Sequence, residues 1–291
     1  MKTERLIYQN EHGESIEFSP RSLYHVNIDD VVGLSDVRTE TYTTNSMGQD
    51  GDTFLGNRIR SREIEIPGAI KIRDKEQRMR LRQRLNHVLN PHLSGTLIYE
   101  FGDFRRVIGC KMADAPLYYK KSLFQWFTVN LNCPDPHWKM EHEQRVEIAT
   151  WIGGFEFPLE IPEAGWEIGY RQESLIVNVY NAGDVPSGIR ITFTALGEVR
   201  NPALLNVNTR DFVKFNIVLA AGDVLTVSTG YGEKEVTLNH NGIITDAFRH
   251  IDVDSTYLQL EVGDNLFRYS ADSNEENLEV TIYHNDCYSG V

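Results

Sequence analysis

The sequence predicts a mainly β protein of two modules: an α+β first module, in which a β-sheet packs against one helix, and then a β-sandwich. Three observations support this fold class. Strand-like alternation of apolar and polar residues recurs along most of the 291 residues. Only one stretch, at 74–90, has helical periodicity. The charge also changes between the two parts: residues up to Pro136 include 19 Lys+Arg and 18 Asp+Glu, whereas those from His137 onward include 10 and 24.

The boundary between the modules is predicted at the end of a buried strand. Alternate residues of the stretch 123–133 are apolar, and Pro134 and Pro136 follow. Each proline removes a hydrogen-bond donor and fixes φ, so the strand cannot continue through them. We therefore expect one domain over 1–136 and a second over 137–291. A loop inside one large domain is the alternative interpretation.

The first module is predicted to consist of strands and one helix. Residues 6–9 and 15–18 flank a turn and predict a hairpin. The most regular strand covers 60–72, where Pro67 and Gly68 are expected to mark a bulge or an edge. Asp74 is the expected N-cap of the helix, with Gln77 three residues later. Further strands are predicted at 24–32, 97–101, 105–110 and 111–116.

A polar segment at 45–52 lies between strands predicted at 39–44 and 53–55. The segment is too polar to pack against a core, so we expect it to project from the sheet. Two interpretations stay open: a surface loop, and an arm that becomes ordered against a neighbouring subunit. In the second interpretation the candidate interface residues are Met47, Gln49, Asp50, Asp52 and Phe54.

The second module has a strand pattern almost throughout. Strands are predicted at 175–180, 189–195, 213–219, 225–227, 236–238, 258–262 and 278–282. Short strands separated by turns about every ten residues are typical of a β-sandwich.

The sequence contains none of the common catalytic or cofactor motifs. A nucleophile elbow, a phosphate-binding loop, an HExxH pair and a dinucleotide-binding glycine pattern are all missing. We therefore predict no enzyme activity, no cofactor, and no catalytic or metal-binding residue. The three cysteines have no CxxC spacing, which argues against a disulfide framework or a zinc site. The acidic balance disfavours specific nucleic-acid binding, and no run approaches the ~18 apolar residues of a membrane span.

Aromatic residues of the second module suggest one further site. Trp151, Trp166 and Tyr231 could stack against a saccharide. Packing in the core or at a sheet edge is the alternative, since sandwiches also use aromatic residues there. A glycoside hydrolase that uses a pair of carboxylates is a further alternative, because such a pair is defined only in space.

The order of four segments resembles the distal tail (Dit) proteins of siphophages, over essentially the whole chain. The segments are Asp50-Gly51-Asp52 before RSREIEIPGAIKI, the helix DKEQRMRLRQRLNHVLNP, the strand FTVNLNCPDPHW, and the ending LEVTIYHNDCYSGV. The resemblance implies that residues 1–136 are a ring-forming (belt) tail domain whose arm crosses onto the neighbouring subunit, giving a hexameric ring. The ring would lie in the virion at the tail tip or baseplate, after assembly in the host cytoplasm.

The same resemblance implies the partners. The ring would connect the tail tube protein to the tail-tip hub protein, and DNA would only pass through its lumen. Residues 137–291 would form a galectin-like or carbohydrate-module-like sandwich that docks receptor-binding proteins. The HxNxR signature of galectins is absent, which puts lectin activity in doubt.

The alternative function is a carbohydrate-binding module on an oligomerising domain that adheres to host cell-wall polysaccharide. A tail-tube subunit is a further alternative, disfavoured because a tube protein has no need of a large acidic domain.

Overall fold

The computed structural model describes residues 3–121, 124–148, 150–153, 169–172 and 176–291. The chain forms two compact units. The first unit contains Met1–Glu141 together with the C-terminal Cys287–Val291, and the second unit contains His142–Asp286. The predicted fold class is confirmed: the protein is mainly β, and the described part has a single α-helix.

Strands account for most of both units. In chain order they are β1 (Arg5–Asn10), β2 (Ser15–Ser19), β3 (Tyr24–His25), β4 (Thr39–Thr44), β5 (Thr53–Ile59), β6 (Arg62–Ile70), β7 (Ser94–Phe101), β8 (Phe104–Met112), β9 (Leu117–Lys121), β10 (Phe124–Cys133), β11 (Trp138–Lys139), β12 (Gln144–Glu147), β13 (Thr150–Gly153), β14 (Gly169–Gln172), β15 (Ile176–Asn181), β16 (Ser187–Ala195), β17 (Val199–Arg200), β18 (Ala203–Asn206), β19 (Phe212–Lys214), β20 (Val218–Leu219), β21 (Val224–Ser228), β22 (Glu235–His240), β23 (Ile243–Asp246), β24 (Gln259–Leu260), β25 (Gly263–Ser270), β26 (Leu278–His284) and β27 (Cys287–Tyr288). Short 3-10 helices cover Ile28–Asp30, Phe248–His250 and Glu275–Asn277.

The first unit is a closed, barrel-like sheet. Its strand order is β27-β11-β8-β7-β1-β2-β3-β6-β10-β9, and an additional pairing of β8 with β10 closes the ring. All the pairs are antiparallel except β2 with β3. The interior contains alternate residues of these strands, among them Phe18, Ile66, Phe127, Val129 and Leu131, which are fully or almost fully buried. Strand β10 thus takes the central, buried position that its alternating pattern predicts.

The single helix, α1 (Lys75–Val88), packs on this core. The carboxylate of Asp74 accepts a hydrogen bond from the backbone N–H of Gln77 at 3.0 Å, which is the predicted N-cap. Leu85 and Val88 are buried, while the arginines of the helix are mostly exposed. The helix is therefore amphipathic, with its apolar face on the core and its arginines towards solvent, as its sequence predicts.

The second unit is a β-sandwich. One sheet has the order β12-β26-β16-β21-β22-β23, with β24 paired to β16, and the other has the order β15-β25-β18-β19. Both sheets contribute to one core, in which Phe193 and Phe215 meet edge to face with ring centroids 5.8 Å apart. Two short ribbons, β13 with β14 and β17 with β20, complete the described part of this unit.

A buried histidine makes the stability of the second unit depend on pH. His284 is 2% exposed, and its Nδ1 lies 3.5 Å from Oδ1 of the buried Asp286. Burial lowers the pKa of His284, and the negative charge of Asp286 offsets this only in part. Since the folded-state pKa lies below the unfolded value of about 6.5, the unfolded chain binds the proton first as the pH falls.

We therefore expect the thermal midpoint of the second unit to be highest above about pH 6.5 and to fall as the pH drops through the folded pKa of His284. Calorimetry between pH 7.5 and 5 measures this slope. In His284→Gln the titrating ring is gone, so the slope should be smaller even if the midpoint itself has moved. An unchanged slope in that variant would assign the pH dependence to other groups.

A projecting hairpin as candidate subunit interface

Strands β4 and β5 form a hairpin, here called the arm (residues 39–59), which is a two-stranded sheet of its own. Within the described residues, neither strand pairs with any other strand. The register runs from Thr39 opposite Ile59 to Thr44 opposite Thr53, and it shifts between Tyr42 and Thr43. The shift leaves Leu55 as an extra residue on β5, which is a β-bulge. The arm thus offers two free strand edges as well as two faces.

The polar tip predicted from the sequence makes the turn of the arm. Asp52 accepts hydrogen bonds from the Asn45 amide at 3.2 Å and the Thr43 hydroxyl at 3.4 Å. Gln49 accepts from the backbone N–H of Ser46 at 3.2 Å and donates to the hydroxyl of Thr53 at 3.0 Å. These local bonds give the turn its shape, because Asn, Asp and Gln side chains can satisfy backbone groups without a core.

Apolar side chains on the arm are exposed. Met47 at the tip is fully exposed, and Phe54 and Leu55 are 61% and 65% exposed. Tyr42 and Ile59 are also exposed. An isolated two-stranded hairpin is only marginally stable in water, because it has no third strand or helix to cover its apolar face. Several exposed apolar side chains on one projecting ribbon are typical of a protein interaction site.

Ion pairs hold the base of the arm. Glu40 accepts from Arg60 at 2.7 Å and from Arg58, directly opposite across the ribbon, at 2.8 Å. Hydrogen bonds from Arg60 and then Arg58 lower the pKa of Glu40 to about 2. Glu40 is therefore ionised at any physiological pH, and the two strands stay in register at the point where they leave the unit.

A buried arginine anchors both ends of the arm. Arg62, directly after the arm, is 2% exposed, and no carboxylate is among its hydrogen-bond partners. Its guanidinium instead donates to backbone carbonyls of three other segments, namely those of Gly33 (2.8 Å), Leu34 (3.0 Å) and Asp36 (3.2 Å) before the arm, Pro136 (2.7 Å) and Ser289. We call Arg62 and these carbonyls the arm anchor. Carbonyl dipoles on all sides compensate for the buried charge.

The structure gives the five predicted arm residues different environments. Met47, Asp50 and Phe54 are exposed and point to no partner within the described chain, whereas Gln49 and Asp52 are bonded within the turn. Their role in an interface stays a prediction. The sequence analysis missed Tyr42, Leu55, Ile59 and Arg62. The apolar residues within the strands predicted on either side of the polar tip were a usable signal for Tyr42 and Leu55, but no local pattern marks Arg62 as buried.

The predicted saccharide residues also stay untested. Tyr231 is 85% exposed on the turn between β21 and β22, where the Lys234 ammonium lies 5.8 Å from its ring centre. Lys234 also borders an open depression of about 490 Å³ that includes Ile244 and Phe248. Trp151 belongs to β13, but its side chain and the whole of Trp166 lie outside the described residues.

The described residues contain no group of three or more His, Cys, Asp or Glu side chains arranged to hold a metal ion. None of the helices in the described ranges is both long and apolar enough to cross a membrane.

Two family models match the chain. The model of the siphovirus-type tail component, C-terminal domain (SPP1 Dit), matches residues 182–288, and the model of the phage tail protein RIFT-related domain matches residues 21–133. The first match covers the sandwich unit from residue 182 to its end and two residues beyond it, and the second lies within the barrel unit. No curated protein matches the chain in sequence.

Solved structures with the same fold come from phage tails. The crystal structure of the Dit protein of phage SPP1, described as a paradigm of the hub adsorption apparatus in phages that infect Gram-positive hosts, matches with a TM-score of 0.69 and 15% identity, over 97% of this chain and 98% of that chain. A chain of the phage p2 baseplate in its activated conformation matches over the full length of both chains, with a TM-score of 0.57 and 12% identity in the Ca form, and 0.56 and 11% in the Sr form.

Both family models describe phage tail components, and together they match most of the described parts of both units. The resemblance drawn from the order of the sequence segments is thereby confirmed. The chain belongs to the Dit family of siphophage tail proteins and is a structural component of the phage tail tip.

Proposed function

We propose that this protein forms a ring, hexameric as in the implied family arrangement, in which the arm of each copy packs on the next copy. The observation that carries the proposal is the arm: a two-stranded ribbon with free edges and with Tyr42, Phe54 and Leu55 exposed. A neighbouring subunit would cover these apolar groups and could pair with an edge of the ribbon. In a closed ring every arm is bound by a neighbouring copy, so no free arm is left to add further copies and assembly stops at a defined size.

In this proposal the two units have separate tasks. The barrel unit, predicted over 1–136, is the ring-forming domain, and it connects the tail tube protein to the tail-tip hub protein. The galectin-like sandwich, predicted over 137–291, provides a docking surface for receptor-binding proteins. The acidic second module, with 10 Lys+Arg against 24 Asp+Glu, would keep copies of it apart and the assembly soluble. The protein acts through shape and association, without catalysis.

Self-association of the full-length chain tests the proposal. Light scattering of the purified protein, alone and mixed with the tube and hub proteins, is expected to give a particle six times the mass of the chain. Phe54→Ser combined with Leu55→Ser removes two exposed apolar groups of the arm. We expect this double variant to associate at least ~30-fold more weakly, the effect of losing about 2 kcal/mol at an interface centre.

Leu23→Ser is the matched control, because Leu23 is 58% exposed on the same unit but lies outside the arm. It should assemble as the unchanged protein does. A protein that stays monomeric with both partners present would contradict the ring. Equal assembly of the double variant and the control would contradict the role of the arm and leave the ring itself in place.

A further inference from the structure

The closure of the barrel places two cysteines opposite each other. Strands β8 and β10 pair at Leu131 with Met112 and at Asn132 with Lys111. One step further along the same antiparallel register, Cys133 faces Cys110. Both residues are buried in the core of the first unit, at 0% and 3% exposure. The two cysteines are 23 residues apart in the sequence, which gives no sign that they are neighbours. They become neighbours only because the sheet closes into a barrel.

The backbone pattern at this position suits a disulfide. The N–H of Ala113 donates to the carbonyl of Asn130 at 2.9 Å, so these two residues form a hydrogen-bonded pair. Pairs alternate along an antiparallel ladder, which makes Cys110 and Cys133 a non-hydrogen-bonded pair with Cα atoms ~4.5 Å apart. That spacing lies within the range of about 4.4–6.8 Å found for disulfides.

The same surroundings keep the thiols unreactive while the barrel is closed. The nearby thiol of Cys133 and burial both raise the pKa of the Cys110 thiol, so the reactive thiolate is suppressed. Reaction therefore requires the seam between β8 and β10 to open. This seam has two register pairs, whereas β10 and β6 share nine, so it is expected to open more easily than the pairing on the other side of β10.

We propose that Cys110 and Cys133 are a latent disulfide site that locks the barrel seam when the protein leaves a reducing environment. The two thiols lose two protons and two electrons as the S–S bond forms. Outside the cell the acceptor is dioxygen, which takes up the two protons and two electrons and becomes hydrogen peroxide; in the test below it is an azodicarboxamide, whose N=N bond takes them up and becomes the hydrazine. The inference uses the tail-tip location, since virions pass from a reducing cytoplasm to an oxidising exterior, and does not depend on ring formation.

Native full-length protein treated with diamide, an azodicarboxamide, tests the site. After alkylation of the remaining thiols, peptide mass mapping should find Cys110 linked to Cys133 and Cys287 alkylated. The melting temperature of the barrel unit should rise by roughly 5 to 10 °C, as expected for closing a loop of this size. Urea below the unfolding transition should speed the reaction, because it opens the seam.

Cys110→Ala and Cys133→Ala should each abolish the link and the rise in melting temperature, while Cys287→Ala keeps both. Circular dichroism before oxidation shows whether each variant is folded, and the mapping of the unchanged protein does not depend on any of them. The proposal is overturned if all three thiols of the native protein are still alkylated after diamide. It is equally overturned if linkage occurs only above the unfolding transition or joins Cys287 instead.

Discussion

Replacing Arg62 with methionine is expected to lower the free energy of unfolding of the barrel unit by about 3 to 5 kcal/mol, the range for breaking a buried network of charged hydrogen bonds. Methionine fills much of the space but donates nothing, so the anchor carbonyls of Gly33, Leu34 and Pro136 lose a donor away from water. Urea unfolding read through hydrogen exchange of β6 reports on this unit alone, which matters because a two-unit chain need not unfold in one step.

Two substitutions separate the anchor from a general effect of removing an arginine. Arg58→Met removes an exposed arginine whose ion pair with Glu40 is at the surface, so at most about 1 kcal/mol should be lost. Arg62→Lys keeps the charge but lacks the planar fork, and it should fall between the two. If Arg62→Met is no more destabilising than Arg58→Met, the anchor contributes nothing measurable.

The anchor also connects stability with assembly. It connects the first strand after the arm, which begins at Arg62, with the segment before the arm, with Pro136 and with the C-terminal tail. Val291 adds to this, since its carbonyl accepts from the hydroxyl of Ser35 at 2.5 Å. If the anchor is weakened, the arm itself is unchanged, but the direction in which it leaves the barrel is no longer fixed. We therefore expect Arg62→Met to reduce self-association even under conditions where the barrel remains folded.

Elements with a strong local pattern were predictable from the sequence. The stretch 123–133 alternates clearly and is β10, and the Asp74 cap and the Leu85 stripe identify α1. The hairpin around the turn at 10–13 is also present as predicted, as β1 and β2. In each case residues close together in the sequence determine the element, through their apolar periodicity, a helix cap or a turn.

Elements fixed by distant contacts were not predictable. Strand β25 was missed, because the buried Asn265 breaks its apolar alternation; its amide donates to the carbonyls of Glu261 and Gly263 instead. The run predicted as one strand at 213–219 is two, β19 and β20. Of the bulge or edge expected at Pro67, the bulge is absent, but the strand is locally an edge there. Pro67 lies inside the regular ladder with β10, and β3 on the other side reaches only Ala69 and Ile70, so no partner needs the missing N–H.

In the candidate interface, too, features with a local sequence pattern were predictable and features fixed by distant contacts were not. The projecting polar tip was visible in the sequence, because a segment that polar cannot form a core. The apolar residues of the arm were less visible, since a short exposed strand that contains apolar residues resembles a strand of a buried sheet. Arg62 and the cysteine pair depend on how the barrel closes, and only the three-dimensional register reveals them.

Replacing Gly33 with alanine is expected to be the other severe change, costing roughly 2 to 5 kcal/mol of barrel stability. Gly33 has φ +92°, where an L-residue is strained by about 1–2 kcal/mol. A Cβ there would also lie 2.1 Å from the carbonyl oxygen of Glu63, a backbone atom of β6 that cannot move aside without disturbing the ladder. The shift would carry the Gly33 carbonyl away from Arg62 as well.

Gly48→Ala isolates the two causes, because Gly48 has nearly the same backbone, with φ +83°, but nothing within 4 Å of an added Cβ. It should show the strain alone, about 1–2 kcal/mol at most, confined to the tip of the arm. Hydrogen exchange resolves the difference: Gly33→Ala should speed exchange along β6, and Gly48→Ala only in the arm. Equal, small effects of both substitutions would mean that the chain around Gly33 can shift freely, and that the base of the arm is not held as the hydrogen bonds of Arg62 require.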